Sequence, residues 1–410
     1  MMIGGSFIAQ LIPILFSILL TRLYTPEEFG VYSNFLAALS FLLVFMTLKY
    51  EMAIILPKKK SITINLVVLC LIISFVFFML SSVVVILLNN LNSSTLNRSN
   101  YKSFLLYIPL AGFSASLFNI VNEWLIREKS FNNIINNNIT NNLLIAGISV
   151  LLPKLTNEDL GLIKGRILGQ SISLFFGFRF ILENNRIFFN QINKRLIRYV
   201  FLKYINFARF NIPGQLLSYL SAHIVVFYLT FQFGLKEVGL YVLTDRCLGV
   251  PLSFLGNAVK DVFKQRADED YKSKGECTEV YKKTTLLLTL CALPVFVVVF
   301  TSAPNLFSFF FGGEWEACGS LARMLCIMYF LSFITLPTSW LFIIAEKQKM
   351  DLIWQTLFVS LTVTSLGLSH LFANSNLGGT LMFFAIGRSV AYLLQIVMTY
   401  KIATGRISGS

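Results

Sequence analysis

Charged residues are scarce in this chain, and the residues that usually mark a metal or redox site are few and scattered. Only 13% of its 410 residues are Asp, Glu, Lys or Arg, about half the fraction of a typical soluble domain. The two histidines and six cysteines show no CxxC pair and no Cys/His spacing of a zinc site. The composition therefore excludes a soluble globular domain, and we predict no metal, no cofactor and no required disulfide.

Long apolar segments fill most of the chain instead. Hydrophobic residues make up 56% of it, and the mean hydropathy is +0.71. About 20 apolar residues are needed to cross a hydrocarbon core roughly 30 Å thick. Twelve segments approach that length, near residues 2–21, 33–56, 66–88, 104–122, 139–153, 160–182, 205–232, 238–258, 284–302, 319–344, 352–372 and 377–400. The chain is therefore predicted to be an all-α polytopic membrane protein with about 12 transmembrane helices.

Basic residues are distributed unevenly between the two sets of loops, which predicts the orientation. The formal net charge is +14. Most lysines and arginines lie in loops after even-numbered segments, for example residues 58–60, 186–203 and 260–283. Loops after odd-numbered segments contain only Arg22, Arg98, Lys102, Lys154, Lys164 and Lys236. Because cytoplasmic loops carry the excess of Lys and Arg, both termini are predicted to be cytoplasmic, and no nucleic acid is needed to explain the charge. A dedicated polybasic lipid site is the alternative explanation.

Three short motifs recur in the same order in the two halves. EFGVY at residues 28–32 matches EVGLY at 237–241, IREK at 126–129 matches IAEK at 344–347, and Gly-Arg at 165–166 matches Gly-Arg at 387–388. Six spans return a chain to the side on which it began, so the two copies have the same orientation. We predict two parallel six-helix lobes, residues 1–190 and 191–410.

Polar side chains recur at helical spacing inside three predicted spans. They include Gln10 and Ser17 in the first, Asn211, Gln215 and Ser218 in the seventh, and Tyr392 and Gln395 in the twelfth. A polar face within the bilayer is buried in protein or lines water. Agreement between the first and seventh spans, which are equivalent in the duplication, favours a shared central cavity, whereas helix packing is the alternative for any one span.

The loops between the segments are short, which bears on catalysis. The asparagine-rich residues 89–100 and 132–142 are predicted to be solvated loops. The longest outer loop, residues 89–103, has about fifteen residues, too few for the catalytic loop of a membrane-embedded polymerase or glycosyltransferase. No nucleotide-binding motif or catalytic triad is present. We therefore predict that the protein is not an enzyme.

Five arginines lie inside predicted spans or at their edges. They are Arg166, Arg209, Arg246, Arg323 and Arg388. Placing Arg at mid-membrane costs about 2.5–3.5 kcal/mol. Arg388 is the deepest, about 16 Å into its span at the helical rise, whereas Arg209 and Arg323 are near span ends and can extend to the headgroups. A cavity rich in guanidinium groups attracts phosphate, so an anionic lipid headgroup is the predicted substrate.

Two acidic residues are candidates for ion coupling. Asp245 lies inside the eighth span, and Glu123 lies at the edge of the fourth. A buried carboxyl group can carry a coupling proton, whereas an ion pair with a residue on another span is the alternative.

Several motifs resemble one transporter family. LYTPEEFGVY at residues 23–32 and KYEMAIILP at 49–57 are similar to the opening of Wzx-type polysaccharide/O-antigen flippases of the multidrug/oligosaccharidyl-lipid/polysaccharide exporter superfamily. Later stretches agree, among them NIP at 211–213, TDR at 244–246 and FGGEW at 311–315. One departure is the head before the first span, which is very short here and carries a basic leader in the family, so that an incomplete or misassigned start is one interpretation.

The resemblance implies a twelve-span, two-lobed carrier in the bacterial plasma membrane. Such a carrier moves an undecaprenyl-pyrophosphate-linked oligosaccharide outward by alternating access, with H⁺ or Na⁺ as the candidate coupling ion and other polysaccharide assembly proteins as candidate partners. The arginines would then hold the pyrophosphate or acidic sugars. A drug or other lipid exporter of the same superfamily is the closest alternative, although cationic drugs favour acidic cavities, and a polysaccharide polymerase is the more distant one.

Overall fold

The computed structural model describes residues 2–90, 104–155, 160–184, 191–372 and 376–405, and within these ranges all regular structure is helical. Its helices are α1 (Met2–Leu20), α2 (Pro26–Met46), α3 (Lys60–Asn90), α4 (Ile108–Arg127), α5 (Phe131–Leu155), α6 (Gly161–Asn184), α7 (Lys194–Lys203), α8 (Ile205–Gln232), α9 (Leu235–Lys274), α10 (Thr278–Phe311), α11 (Glu316–Thr338), α12 (Leu341–Ile344), α13 (Gln348–Phe372) and α14 (Leu377–Ala403). All except α7 and α12 coincide with the twelve predicted spans, so the all-α membrane architecture is confirmed.

Eight helices in the described part of the chain are long and apolar enough to cross a membrane by length and composition alone. They are α2, α3, α8, α9, α10, α11 with its flanking turns, α13 and α14. Helix α1 contributes a shorter apolar stretch, and α4, α5 and α6 contain more polar residues. Polar helices of this kind are stable in a bilayer when neighbouring helices satisfy their side chains.

The asparagines of residues 132–142 were predicted to form a solvated loop, and that prediction is wrong because they lie on α5. The Asn142 amide donates to the carbonyl oxygen of Ala9 on α1 at 2.7 Å. The Asn137 amide donates to the side chain of Asn122 on α4 at 2.9 Å. Such bonds between helices replace water as the partner of a polar side chain. Most of the other asparagine run, residues 89–100, lies outside the described residues.

Helix α2 begins seven residues before the predicted start of its span, at Pro26. The Thr25 hydroxyl accepts a hydrogen bond from the backbone N–H of Glu28, whose carboxylate accepts one from the Thr25 N–H at 2.8 Å. This reciprocal capping box, with Pro26 at the first helical position, makes the polar TPEE sequence a helix start. In the second copy of the motif, Glu237 is likewise the third residue of its helix, α9.

Residues 260–283 were predicted to form a charged loop, but α9 continues as a helix to Lys274. Pairs four residues apart support it, with Lys272 Nζ 2.7 Å from the Asp268 carboxylate and Lys274 Nζ 3.1 Å from that of Asp270. Gly275, with a φ of +74°, ends the helix. Its 40 residues span about 60 Å, so α9 extends well beyond the hydrocarbon core.

The chain forms two compact units, residues 1–227 and 228–410, and the division falls inside α8. The lobe boundary predicted at residues 190/191 stays a prediction. In the first unit, Tyr50, Trp124 and Val200 belong to one buried apolar cluster. In the second, a smaller cluster contains Phe263 of α9 and Phe342 of α12, so the extension of α9 has an apolar core of its own.

Backbone geometry recurs between the two units where the sequence motifs recur. A Cβ atom at Gly165 would lie 2.2 Å from the Ser149 hydroxyl oxygen, and one at Gly387 would lie 2.7 Å from the Ser365 Cβ. Each glycine therefore lets its helix cross the preceding long helix at close range, α6 against α5 and α14 against α13. These paired crossings support the internal duplication and place an arginine next to each one, Arg166 and Arg388.

Candidate functional site

The Arg388 side chain is held against two aromatic rings inside the second unit. Its guanidinium carbon lies 4.7 Å from the ring centroid of Phe384, one turn earlier on α14, and 4.8 Å from that of Phe358 on α13. Phe384 is fully buried, and Arg388 is half-buried. Contact with an aromatic face stabilises a partly desolvated guanidinium by about 0.5–2 kcal/mol. The rings therefore retain the charge within the helix bundle.

Further aromatic side chains support these two rings. Phe358 packs against Trp354, with 5.3 Å between centroids, and against Tyr392 at 5.5 Å. Spacing of four residues along α13 and α14 brings these side chains onto common helix faces. The rings thus form a framework around Arg388 that restricts the rotamers open to a long, flexible side chain.

Asp245 on α9 and Tyr329 on α11 complete the site. The Tyr329 hydroxyl donates a hydrogen bond to the Asp245 carboxylate. Tyr329 is buried, whereas the Asp245 side chain is exposed. Arg388 is close enough to both groups to interact with them electrostatically. We call Asp245, Tyr329, Arg388, Phe358 and Phe384 the Asp245–Arg388 cluster; it draws on α9, α11, α13 and α14 of one unit.

The groups of this cluster are suited to bind an anion and to couple that binding to a neighbouring carboxylate. The Asp245–Arg388 cluster contains one fixed cation, one carboxylate, and a phenol whose hydrogen bond holds the carboxylate in place. A phosphate group is complementary to guanidinium in charge and in hydrogen-bonding geometry. An anion that bound to Arg388 would change the electrostatic potential at Asp245, so the two groups are electrostatically coupled.

The other predicted arginines occupy different settings. Arg166 on α6 is half-buried, and its Nε atom is buried without a hydrogen-bond partner among the described residues. Arg246 follows Asp245 on α9 and is half-buried. Arg209 is exposed beside the ring of Phe210. Arg323 is exposed, and its guanidinium donates to the carbonyl oxygen of Thr301 on α10 at 2.5 Å. The exposure of Arg209 and Arg323 agrees with the snorkelling alternative.

The seven polar residues predicted to line a cavity divide by exposure. Two are buried in helix packing, Ser17 and Gln395. The Ser17 hydroxyl donates to the Ile14 carbonyl oxygen of its own helix at 2.5 Å. Five keep partial or full exposure: Gln10, Asn211, Gln215, Ser218 and Tyr392. Their assignment to a cavity remains a prediction.

Glu123 belongs to a separate charged cluster in the first unit. It lies half-buried on α4 and experiences the like charge of Glu51. Glu51 is buried, pairs with Lys49 at 3.7 Å between Nζ and Oε1, and accepts a hydrogen bond from the Thr47 hydroxyl. Lys49 has a left-handed backbone with a φ of +62°. The KYE motif therefore builds a buried ion pair that sequence reasoning did not anticipate.

Sequence reasoning also missed Tyr329, Phe358 and Phe384. Spacing of four residues from Arg388 is a signal that identifies Phe384, because both face the same side of α14. Tyr329 and Phe358 lie on other helices in a chain with 40 phenylalanines and 15 tyrosines. Their contacts with Asp245 and Arg388 depend on helix packing alone.

Comparison with known proteins identifies a family model and a transporter fold. A model described as "Polysaccharide biosynthesis protein" matches residues 19–320. A search of curated proteins finds no match. The structure is similar to an inward-facing multidrug resistance MATE transporter of the MOP superfamily, with a TM-score of 0.71, 15% identity, and coverage of 98% of this chain and 96% of that one.

Two further solved structures extend the likeness. The lipid II flippase MurJ in an inward closed conformation has a TM-score of 0.72 at 14% identity, covering 97% of this chain and 89% of its own. A MOP-superfamily transporter from Pyrococcus furiosus Vc1, whose reversed pocket polarity suggests a different function, has a TM-score of 0.62 at 17% identity, with 99% and 95% coverage. Identities this low establish a common fold and no more.

Proposed function

The chain belongs to the polysaccharide biosynthesis protein family, and on that premise we propose that it flips an undecaprenyl-pyrophosphate-linked oligosaccharide from the cytoplasmic to the outer leaflet of the bacterial plasma membrane. The cargo is an O-antigen, capsule or related repeat unit, carried by alternating access. The observation that carries the proposal is the guanidinium of Arg388, retained in the bundle by Phe358 and Phe384. A lipid diphosphate supplies the anion that such a group recognises.

In this proposal the Asp245–Arg388 cluster holds the diphosphate or acidic sugars of the cargo. Arg166 and Arg209 in the first unit, and Arg246 and Arg323 in the second, are further candidate cations for the cargo. Both termini are cytoplasmic in this proposal. Movement of a diphosphate outward is favoured by an inside-negative potential, by about 2.3 kcal/mol per charge per 100 mV. The fold shared with a lipid II flippase supports a lipid-linked cargo.

Accumulation of the cargo in cells tests this function. In a host with the gene deleted and no second flippase, full-length lipid-linked repeat units are expected to accumulate on the cytoplasmic leaflet. Wild type restores surface glycan, Arg388→Ala does not, and Arg388→Lys restores it partly, because a point charge lacks the planar fork. Lys283→Gln, an exposed cation, is the matched control and behaves as wild type. Normal surface glycan in the deleted strain contradicts the proposal.

Ion coupling is a second part of the proposal, with H⁺ or Na⁺ as the ion. Asp245 is the leading candidate because its carboxylate interacts with Arg388 and accepts a hydrogen bond from Tyr329; Glu123 is the second. In proteoliposomes, Asp245→Asn is expected to remove the response of transport to an imposed ion gradient without abolishing cargo binding, because the Arg388 guanidinium remains. If Asp245→Asn responds to the gradient as wild type does and Glu123→Gln does not respond, the coupling residue is Glu123 in the first unit.

A drug exporter is the alternative function. The structure is as similar to a multidrug MATE transporter as to a lipid II flippase, so fold similarity alone does not separate the two functions. Acidic cavity groups complement cationic drugs, whereas the one acid of the Asp245–Arg388 cluster is hydrogen-bonded to a tyrosine and lies in the field of an arginine. Deletion of the gene is therefore expected to leave sensitivity to cationic drugs and dyes unchanged. Hypersensitivity together with normal surface glycan supports the exporter.

A further inference from the structure

Helix α7 lies within the first unit and packs on its apolar core. Val200 is fully buried in the apolar core of that unit, and Tyr204 is also buried there. The Asn65 amide on α3 donates to the Gln191 carbonyl oxygen at 2.8 Å, and the Asn65 carbonyl oxygen accepts from the Asn193 N–H at 2.8 Å. These contacts fix one face and the start of the helix.

The attachment points place α7 at the level of the lipid headgroups. Asn65 is the sixth residue of α3, a candidate membrane span that begins at Lys60. Helix α8, another candidate span, begins at Ile205, two residues after α7 ends. Since α7 is tied to the first turns of two spans, it lies where those spans enter the membrane. Its end is held by Tyr50, whose hydroxyl donates to the Phe201 carbonyl oxygen at 2.9 Å.

The exposed face of α7 combines cations with apolar and aromatic side chains. Arg195, Arg198, Tyr199 and Leu202 are spaced by three and four residues, which places them on one side of the helix, opposite Val200. Leu202 is 60% exposed and Tyr199 47%. Lys203 lies 5.3 Å from the Tyr199 ring centroid. A purely aqueous face has no need of exposed leucine and tyrosine, whereas both suit a membrane interface.

No acidic side chain close in sequence neutralises these cations. Residues 184–236 contain neither Asp nor Glu. None of Arg195, Arg198 and Lys203 forms an ion pair within the part of the chain that the structure describes. The exposed lysines at the end of α9 differ, because Lys272 and Lys274 pair with acids one turn away. Helix α7 therefore presents a concentrated positive charge, which an anionic surface complements.

We propose that the exposed face of α7, formed by Arg195, Arg198, Tyr199, Leu202 and Lys203, binds the headgroups of anionic phospholipids. The guanidinium and ammonium groups contact lipid phosphates, while Leu202 and Tyr199 enter the boundary between headgroups and acyl chains. The site is separate from the Asp245–Arg388 cluster and does not depend on the transported cargo. It also gives the basic residues of α7 a role beyond setting the topology.

Retention of defined lipids by the purified full-length protein tests the site. Protein in detergent is mixed with phosphatidylglycerol or phosphatidylcholine, and the bound lipid is counted by native mass spectrometry. Wild type is expected to prefer phosphatidylglycerol. In the variant Arg195→Gln/Arg198→Gln/Lys203→Gln, the ratio of bound phosphatidylglycerol to bound phosphatidylcholine is expected to fall by about fivefold for each cation removed. The control Lys272→Gln/Lys274→Gln/Lys283→Gln removes the same number of exposed cations and is expected to keep the preference.

Two further variants and one competition experiment separate loss of charge from loss of folding and lipid binding from binding of free anions. Arg195→Lys/Arg198→Lys retains the charge and is expected to retain the preference, which separates loss of charge from loss of folding. Leu202→Gln is expected to weaken binding of both lipids. Soluble glycerol 1-phosphate is not expected to displace phosphatidylglycerol. An unchanged lipid preference in the triple glutamine variant overturns the proposal, as does displacement by glycerol 1-phosphate, which would indicate a site for free anions.

Discussion

The Tyr329 hydroxyl on α11 donates a hydrogen bond to the Asp245 carboxylate on α9, although 84 residues separate them in sequence. This bond holds an exposed acid at a set position in a unit where Arg388 is the neighbouring cation. The two copies of the internal duplication differ here. By the register of the 28–32 and 237–241 motifs, the position that corresponds to Asp245 is Leu36. The acid therefore belongs to the second copy alone.

Removal of the Tyr329 hydroxyl is expected to weaken the site without removing the ring. A hydrogen bond to a charged group contributes about 1.5–3 kcal/mol. Tyr329→Phe is therefore expected to lower the melting temperature of the purified protein and to reduce complementation of the deleted strain. Tyr228→Phe is the control, because the Tyr228 hydroxyl pairs with the neutral Ser369 hydroxyl at 3.3 Å. Equal effects of the two substitutions would argue against a special role for the bond to Asp245.

The ring of Phe358 is expected to matter through Arg388. Phe358→Leu keeps an apolar side chain of similar size but removes the aromatic face, a loss of about 0.5–2 kcal/mol. In the Arg388→Ala background the same substitution is expected to cost less, since no guanidinium remains to be stabilised. Thermal unfolding of the wild type, the two single variants and the double variant measures this coupling. Additive effects would show that the ring and the guanidinium act independently.

Close helix crossings predict which glycines tolerate a methyl group. At Gly387 a Cβ atom would lie 2.9 Å from the Leu361 backbone oxygen as well as close to Ser365. Gly387→Ala is therefore expected to destabilise the protein by about 1–3 kcal/mol. Gly367→Ala on α13 meets no atom within 4 Å and is expected to be neutral or stabilising by up to about 1 kcal/mol. The melting temperatures of both variants test this prediction. A melting temperature of Gly387→Ala equal to that of wild type would contradict the close crossing of α14 and α13.

Cys277, between α9 and α10, is expected to react slowly with thiol reagents at neutral pH. It is buried, and burial raises the pKa of its thiol to about 11. Since the thiolate is the reactive form, maleimide labelling of a variant that retains only Cys277 should rise about tenfold per pH unit from pH 7 to 10. The unfolded protein, with an ordinary thiol pKa, should react faster at pH 7. Equal rates for folded and unfolded protein would show that the thiol is accessible and unperturbed.

Hydropathy identified every long helix within the described residues, whereas helix ends and polar segments were predicted less well. Apolar segments of about 20 residues have few stable alternatives in a bilayer, which explains the agreement. Asparagines 137 and 142 look like loop residues because their partners, Asn122 and Ala9, are distant in sequence. The extension of α9 depends on pairs such as Asp268 with Lys272. Charged residues of this kind are equally common in loops.

The sequence by itself determined the membrane class, the number of long helices, the internal duplication and the choice of Arg388 as an unusual intramembrane charge. Those properties follow from composition, local periodicity and the cost of desolvating a charge, which act along the chain. Only the tertiary structure decided that Phe358 and Phe384 hold the guanidinium, that Tyr329 positions Asp245, and that α7 exposes its basic face. Such relationships depend on which helix faces meet, and contacts between segments distant in sequence leave no periodic signal in one chain.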